Sequence, residues 1–309
     1  DGVPPLLHTT EFVMAQPCWT NGAFKKPRVG AIRELPVFME NAVELIAQPG
    51  DFATADGRVY VKPFRGGEGR PPAGAEVPGG LHLLTLNRTH DIRFQGITVE
   101  MGGWREPSTG DGFIDVQAAH RLFGDATFAS HCQLPLAPGL PDGQGGPPCA
   151  APTPAHVAVH GGRRVAFEAM TFRNMGAVAL NITDGSQDVV VDGSTFQHIS
   201  SSAISLGQTD DWHEADPARQ NARLTVRNCS LLNVTSEFGG AVGIFVGFVR
   251  ESVITQTTID SPAKACISLG WGWGSAVPSY MRNNSVTRNF CLRGNSQCCG
   301  GMGVVYTLG

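Results

Sequence analysis

The feature that most constrains this chain is an irregular internal repeat. An apolar residue is followed five positions later by another apolar residue or a cysteine. The pairs are Phe94/Val99, Phe167/Phe172, Val191/Phe196, Val226/Leu231, Ile254/Ile259 and Val286/Cys291. From Phe167 onward the first members lie 24, 35, 28 and 32 residues apart. Most pairs precede a short strand that starts small and turns aliphatic: Ala177-Val178, Ala203-Ile204, Gly243-Ile244, Cys266-Ile267 and Val304-Val305. Self-similarity at this period marks a repeat architecture. One such unit is too short to bury its own apolar face, so neighbours must stack. Short strands with glycine and asparagine corners predict an all-β, right-handed parallel β-helix. The leucine-asparagine signature of a leucine-rich repeat is missing, and a propeller would need antiparallel blades of near-constant length.

Residues 1–80 lack the repeat and read as a β-rich subdomain capping one end of the stack, with the β-helix over 81–309. Within the cap, a short helical face through Val43 and Ile46 stops at Pro49-Gly50, and Asp56-Gly57 is a turn before an alternating strand at Arg58–Lys62. Two long insertions interrupt the coils. One runs from Gly102 to about Ala155, rich in proline and glycine; the other is the acidic segment Gln208–Gln220, carrying Trp212 and His213. Loops of that length are usually functional or disordered. The last apolar strand ends at Leu308-Gly309 without a cap, so the chain is expected to be truncated there, or covered by a protein neighbour or missing segment.

The 309 residues suffice for a large core, and 39 glycines with 21 prolines argue against long helices. A net charge of −4 offers no basic footprint for nucleic acid, and no apolar run is long enough to span a membrane. Secretion is expected from two marks. Five sequons occur, at Asn87, Asn181, Asn228, Asn233 and Asn283. The eight cysteines favour disulfides, Cys132–Cys149 first. Cys229, Cys266 and Cys291 fall in the coil pattern, where buried thiols are the alternative. No Cys/His spacing fits zinc, no EF-hand or phosphate-loop pattern appears, and no nucleophile elbow is present, so no metal or cofactor is expected.

Several motifs carry a resemblance. They are Gln16–Trp19, Glu40–Ile46 with Gln48-Pro-Gly50, Val59-Tyr60 with Lys62-Pro63, Ile114–Gln117, Asp184–Asp188, Gly240–Gly247 and Ile267–Gly274. The chain resembles bacterial right-handed parallel β-helix proteins of the pectin-lyase-like superfamily, close to a glycoside hydrolase group with α-L-fucosidase and xylanase members. The last two motifs are the specific ones. The resemblance implies a secreted protein that acts on a polysaccharide. Members usually place Asp-Gly-Gly before an Ile-Tyr-Thr strand. Here Cys299-Gly300-Gly301 precedes Val305-Tyr-Thr307, which removes a carboxylate from that position.

Glycoside hydrolysis commonly needs two carboxyl groups flanking the bond. Asp184 and Asp211 follow consecutive coil strands at equivalent places, and Glu237 precedes Gly239-Gly240. These three are the candidate catalytic residues. Asp184-Gly185 also reads as a turn, Asp210 and Asp211 as a solvated loop, and Glu237 as an exposed corner. Trp271 and Trp273 alternate with glycines and are candidate sugar platforms, or else wedge a corner. Trp212 and His213 are further candidate glycan contacts. Asp115 and Gln117 alternate on one strand, facing either a groove or partners within the insertion. Two functions compete: a glycoside-hydrolase-like extracellular protein, or a catalytically silent β-helix glycoprotein of a wall, sheath or filament.

Overall fold

The structure is a computed structural model that describes residues 15–19, 40–64, 74–122, 150–272, 278–294 and 303–308. The chain divides into two compact units, Lys26–Val77 and Asp1–Lys25 with Pro78–Gly309. In the smaller unit, strands Phe52–Ala55 and Arg58–Val61 form an antiparallel hairpin. Asp56 (φ 51°) and Gly57 (φ 70°) supply the two left-handed residues that such a tight turn requires. The segment through Val43 forms only a single 3-10 turn, Val43–Leu45. Asn41 Oδ1 accepts from the Thr54 amide at 2.8 Å and ties that turn to the hairpin.

The larger unit is built from three parallel sheets of six, six and seven strands. The chain visits them in rotation. One full round runs through Ala155–His160, Arg163–Glu168 and Thr171–Met175, and the next through Val178–Thr183, Gln187–Asp192 and Thr195–Ile199. We call these the third, first and second sheets in that chain order. Every strand pairs in parallel with its counterpart one round away, an arrangement consistent with a β-helix.

The five-residue spacing has a local cause. The first and second sheets are joined at each round by two residues, and the first of them is left-handed every time: Gly96, Ala169, Gly193, Asn228, Gln256 and Arg288, with φ between 48° and 66°. That corner turns the chain so that residues on either side, five apart, both point inward. All six pairs fall in register. Phe94, Phe167, Val191, Val226, Ile254 and Val286 stack in the first sheet, while Val99, Phe172, Phe196, Leu231, Ile259 and Cys291 stack in the second. Phe172 and Phe196 lie face to face with centroids 4.6 Å apart. The second corner residue turns its polar atoms along the stack; Ser194 Oγ accepts from the Met170 amide at 3.1 Å.

The cysteines resolve an alternative that the sequence left open. Cys266, at the corner ahead of Ile267–Leu269, and Cys291, on strand Phe290–Leu292, are joined as a disulfide rather than left as buried thiols (Cα–Cα 6.2 Å). Cys229 is the buried thiol, and burial pushes its pKa up to about 11. Cys132 and Cys149 lie outside the described residues, as do Trp273 and Cys299.

The outer faces differ. On the first and second sheets, arginines on one round pair with carboxylates on the next: Arg164–Asp91, Arg93–Glu168, Arg223–Asp188, Arg227–Asp192, Arg173–Glu100 and Arg293–Asp260. The outward row of the third sheet is uncharged and runs Thr85, Ala158, Asn181, Ser205, Phe245, Ser268 and Tyr306. The first insertion folds over this row. Its strands Ile114–Gln117, His120–Leu122 and Ala150–Pro152 form a small antiparallel sheet. The Ala118 amide donates to Gly240 O at 2.9 Å, and Trp104, Phe113 and Phe238 cluster beside it.

Candidate functional site

The third-sheet strands leave their sheet through a row of corners that must pass close to one another. Asp184 (φ 58°) and Gly185 (φ 75°) form one, and Gly207 (φ 70°) the next. A side chain at Gly207 would meet Phe248 O at 2.5 Å, and one at Gly185 would meet Arg219 O at 2.6 Å. Gly185 lets the second insertion pack onto its corner, and Gly207 lets the corner at Phe248 approach.

Asp184 is exposed, and its carboxylate meets His160 Nδ1, one round earlier, at 2.6 Å. Its amide donates to Gln208 Oε1 at 2.9 Å. Asn221 Oδ1 accepts from the Gly185 and Ser186 amides at 3.0 and 3.1 Å, and its Nδ2 donates to Asp211 Oδ2 at 3.2 Å. One asparagine thus bridges the Asp184 corner and Asp211. Tyr280 Oη lies 2.8 Å from Asp211 Oδ2 and 2.7 Å from Phe248 O. Asp211 Oδ1 is buried without a hydrogen-bond partner.

The two aspartates differ in setting. Burial pushes the Asp211 pKa up to about 7, with Asp210 and Asp184 adding to the rise and the Tyr280 hydrogen bond opposing it. Burial and then the Asp211 charge raise the Tyr280 phenol well above its ordinary value. The corner therefore sets a buried carboxyl group that resists ionisation beside the exposed, hydrogen-bonded Asp184 side chain.

The other sequence candidates lie elsewhere. Glu237 is exposed between the second-sheet strand Ser230–Val234 and the third-sheet strand Ile244–Val246, so it enters the third sheet where Asp184 and Asp211 leave it. Its amide donates to Ser200 O at 3.2 Å. Trp212 joins the aspartate corner through its backbone, accepting from the Tyr280 amide at 3.2 Å, and the exposed His213 ring sits 4.6 Å from the Trp212 ring. Trp271 is half-buried over the third sheet. His120 lies against it with ring centroids 4.2 Å apart, and Phe245 meets its edge. Burial pushes the His120 pKa down to about 4, so this ring is a neutral packing partner. Asp115 faces Lys264 Nζ at 3.8 Å over Gly240, and Gln117 is buried, so that strand pairs inward.

Of the sequon asparagines, Asn87, Asn228, Asn233 and Asn283 are exposed, while the Asn181 Oδ1 is buried. Asn228, Asn233 and Asn283 occupy left-handed corners (φ 59°, 50° and 55°), which favour asparagine whether or not a glycan is attached.

Sequence reasoning missed His160, Asn221 and Tyr280. His160 had a signal, since it sits 24 residues before Asp184, one round earlier. Tyr280 had none, because it reaches Asp211 across 69 residues of sequence.

No protein-family model matches the chain, and no curated protein matches it. A solved structure described as "Glycoside hydrolase" is similar, with a TM-score of 0.69 and 24% sequence identity, over 87% of this chain and 47% of that chain. The chain therefore spans about half the length of that protein. At this identity the likeness establishes a shared fold.

Proposed function

We propose that this chain is a secreted, glycoside-hydrolase-like protein with a right-handed coil, which binds a polysaccharide across the corner row of the third sheet. The observation that carries this reading is the pairing of Asp184 and Asp211. They stand on successive rounds, bridged by Asn221, and burial raises the pKa of Asp211. Two carboxyl groups so placed can serve as proton donor and as base or nucleophile. Asp211 is assigned the proton and Asp184 the negative charge, with His160 orienting Asp184. The fold shared with a glycoside hydrolase supports the reading.

The corner carries groups of both signs: Asp184, Asp210 and Asp211 sit with His160 on Asp184, Arg163 on Ala218 O at 2.5 Å, and Arg219 paired with Glu214 at 3.1 Å. Neutral and acidic polysaccharides are therefore both candidate ligands. The test is reducing-sugar release from neutral and acidic polysaccharides. Asp184→Asn and Asp211→Asn should each lower kcat by about 100-fold or more with folding retained. Full activity in both variants sinks the assignment. An equal loss in Glu237→Gln would move the reacting centre to the other end of the third sheet.

One observation favours a non-catalytic module instead: Asp211 Oδ2 is held by Tyr280 and Asn221, and Oδ1 is buried. Glycan binding without hydrolysis of any polymer would select that reading.

A further inference from the structure

The Tyr280 hydroxyl poses a proton-counting problem. It has one hydrogen to donate. Yet it lies within hydrogen-bond distance of two acceptors, the Phe248 carbonyl at 2.7 Å and Asp211 Oδ2 at 2.8 Å. If Asp211 were a carboxylate, one of these contacts would set oxygen lone pairs against each other. Placing a proton on Asp211 Oδ2 resolves both. Asp211 donates to Tyr280 Oη, and Tyr280 donates to Phe248 O. Asn221 Nδ2, 3.3 Å from Tyr280 Oη and 3.2 Å from Asp211 Oδ2, adds a donor to the same network.

This network is also an attachment point. Asp211 belongs to the insertion that leaves the third sheet after Gly207, whereas Phe248 is a corner of the coil stack one round on and Tyr280 lies further along the chain. The Tyr280 amide also donates to Trp212 O at 3.2 Å, so Tyr280 grips the insertion at two consecutive residues.

We propose that Asp211, Tyr280 and Phe248 form a proton-dependent latch, which fastens residues 209–213 of the insertion to the coil stack while Asp211 is protonated and loosens them when that proton passes to solvent; Gln208 and residues 217–220 stay tied to the stack through Phe248, Arg163, Gln187 and Arg250. The charged neighbours reinforce the direction. Asp210 and Asp184 both disfavour an Asp211 carboxylate. His160 touches Asp184 and not Asp211. Glu214 donates its amide to Asp211 O, and its carboxylate is paired with Arg219. His213 is exposed, its ring tilted against that of Trp212. Within this network, no cation pairs with Asp211 among the described residues.

The sign follows from linkage. The Asp211 pKa is about 7 when latched and near the ordinary 3.8 when released. The latch is therefore at full strength below about pH 4, weakens as pH rises towards 7, and is spent above 7. Loosening would carry Asp210, Trp212 and His213 away from the Asp184 corner.

The test is amide hydrogen exchange of peptides covering 209–213 in the full chain without substrate, at pH 5 to 8.5, corrected for intrinsic exchange. The wild type should show opening that rises by up to about tenfold per pH unit towards pH 7 and then levels off. Asp211→Asn, whose amide can donate to Tyr280 Oη at any pH, should stay protected and flat. Tyr280→Phe should be more open than the wild type at pH 5, where the wild-type latch still holds. A flat wild-type profile, or an Asp211→Asn profile that rises like the wild type, overturns the proposal. The first two proteins decide the matter even if Tyr280→Phe fails to fold. No substrate is involved, so failure here leaves the hydrolase reading standing, and failure there leaves the latch standing.

Discussion

Single residues settle how closely the two insertions approach the coils. A methyl group at Gly240 would overlap the Asp115 carboxylate, which faces Lys264 across that glycine. Gly240→Ala should therefore displace the first insertion and cost about 1–3 kcal/mol in urea unfolding, as overpacking does. An unchanged midpoint would show that the insertion is loosely seated. In the core, Phe196 is fully buried and stacked on Phe172. Phe196→Ala should cost about 3–5 kcal/mol in the same assay. Both residue types were visible in the sequence, and Phe196 was placed correctly by its spacing. The need for glycine at 240 was not legible, because Asp115 reaches it from a part of the chain far away in sequence.

At the scale of elements, the repeat works through its corners. Gly193 has φ 59° and open space where a side chain would go, so only backbone conformation is at stake there. Gly193→Ala should destabilise by about 1 kcal/mol and Gly193→Asn by less, since asparagine tolerates the left-handed region. Equal losses in thermal unfolding would mean that the corner relaxes. The charge pairs outside the first and second sheets are exposed, and neutralising Arg164 should barely move the melting temperature. The places of the corners follow from the five-residue spacing, but the expected glycine or asparagine stands only at Gly96, Gly193 and Asn228, while Ala169, Gln256 and Arg288 adopt the same left-handed turn. The insertions were legible as interruptions only. The first insertion packs where surface chemistry allows, since the uncharged third-sheet row accepts a covering layer that the two charged sheets would resist; the second is held at the corners by Arg163, Gln187 and Arg250.

The larger unit behaves as a stack in which each round mainly touches its neighbours. The Cys266–Cys291 disulfide closes a separation of 25 residues, from the corner ahead of strand Ile267–Leu269 to strand Phe290–Leu292. Its removal by paired serine substitution should cost about 3 kcal/mol. Hydrogen exchange should then rise in strands Ile267–Leu269 and Phe290–Leu292 and remain unchanged in Thr171–Met175 and Thr195–Ile199. A uniform rise would show long-range cooperativity instead. Asp184 and Asp211 were placed at equivalent strand exits because position within a round follows from counting along the chain. Asn221 and Tyr280 lie on other rounds or insertions. By itself, then, the sequence determined the period, the inward residues and the places of the corners, all of which depend on contacts within one round. Only the tertiary structure decided which side chains of different rounds meet, and thereby which aspartate keeps its proton, because burial and neighbouring charge arise only when distant segments are stacked.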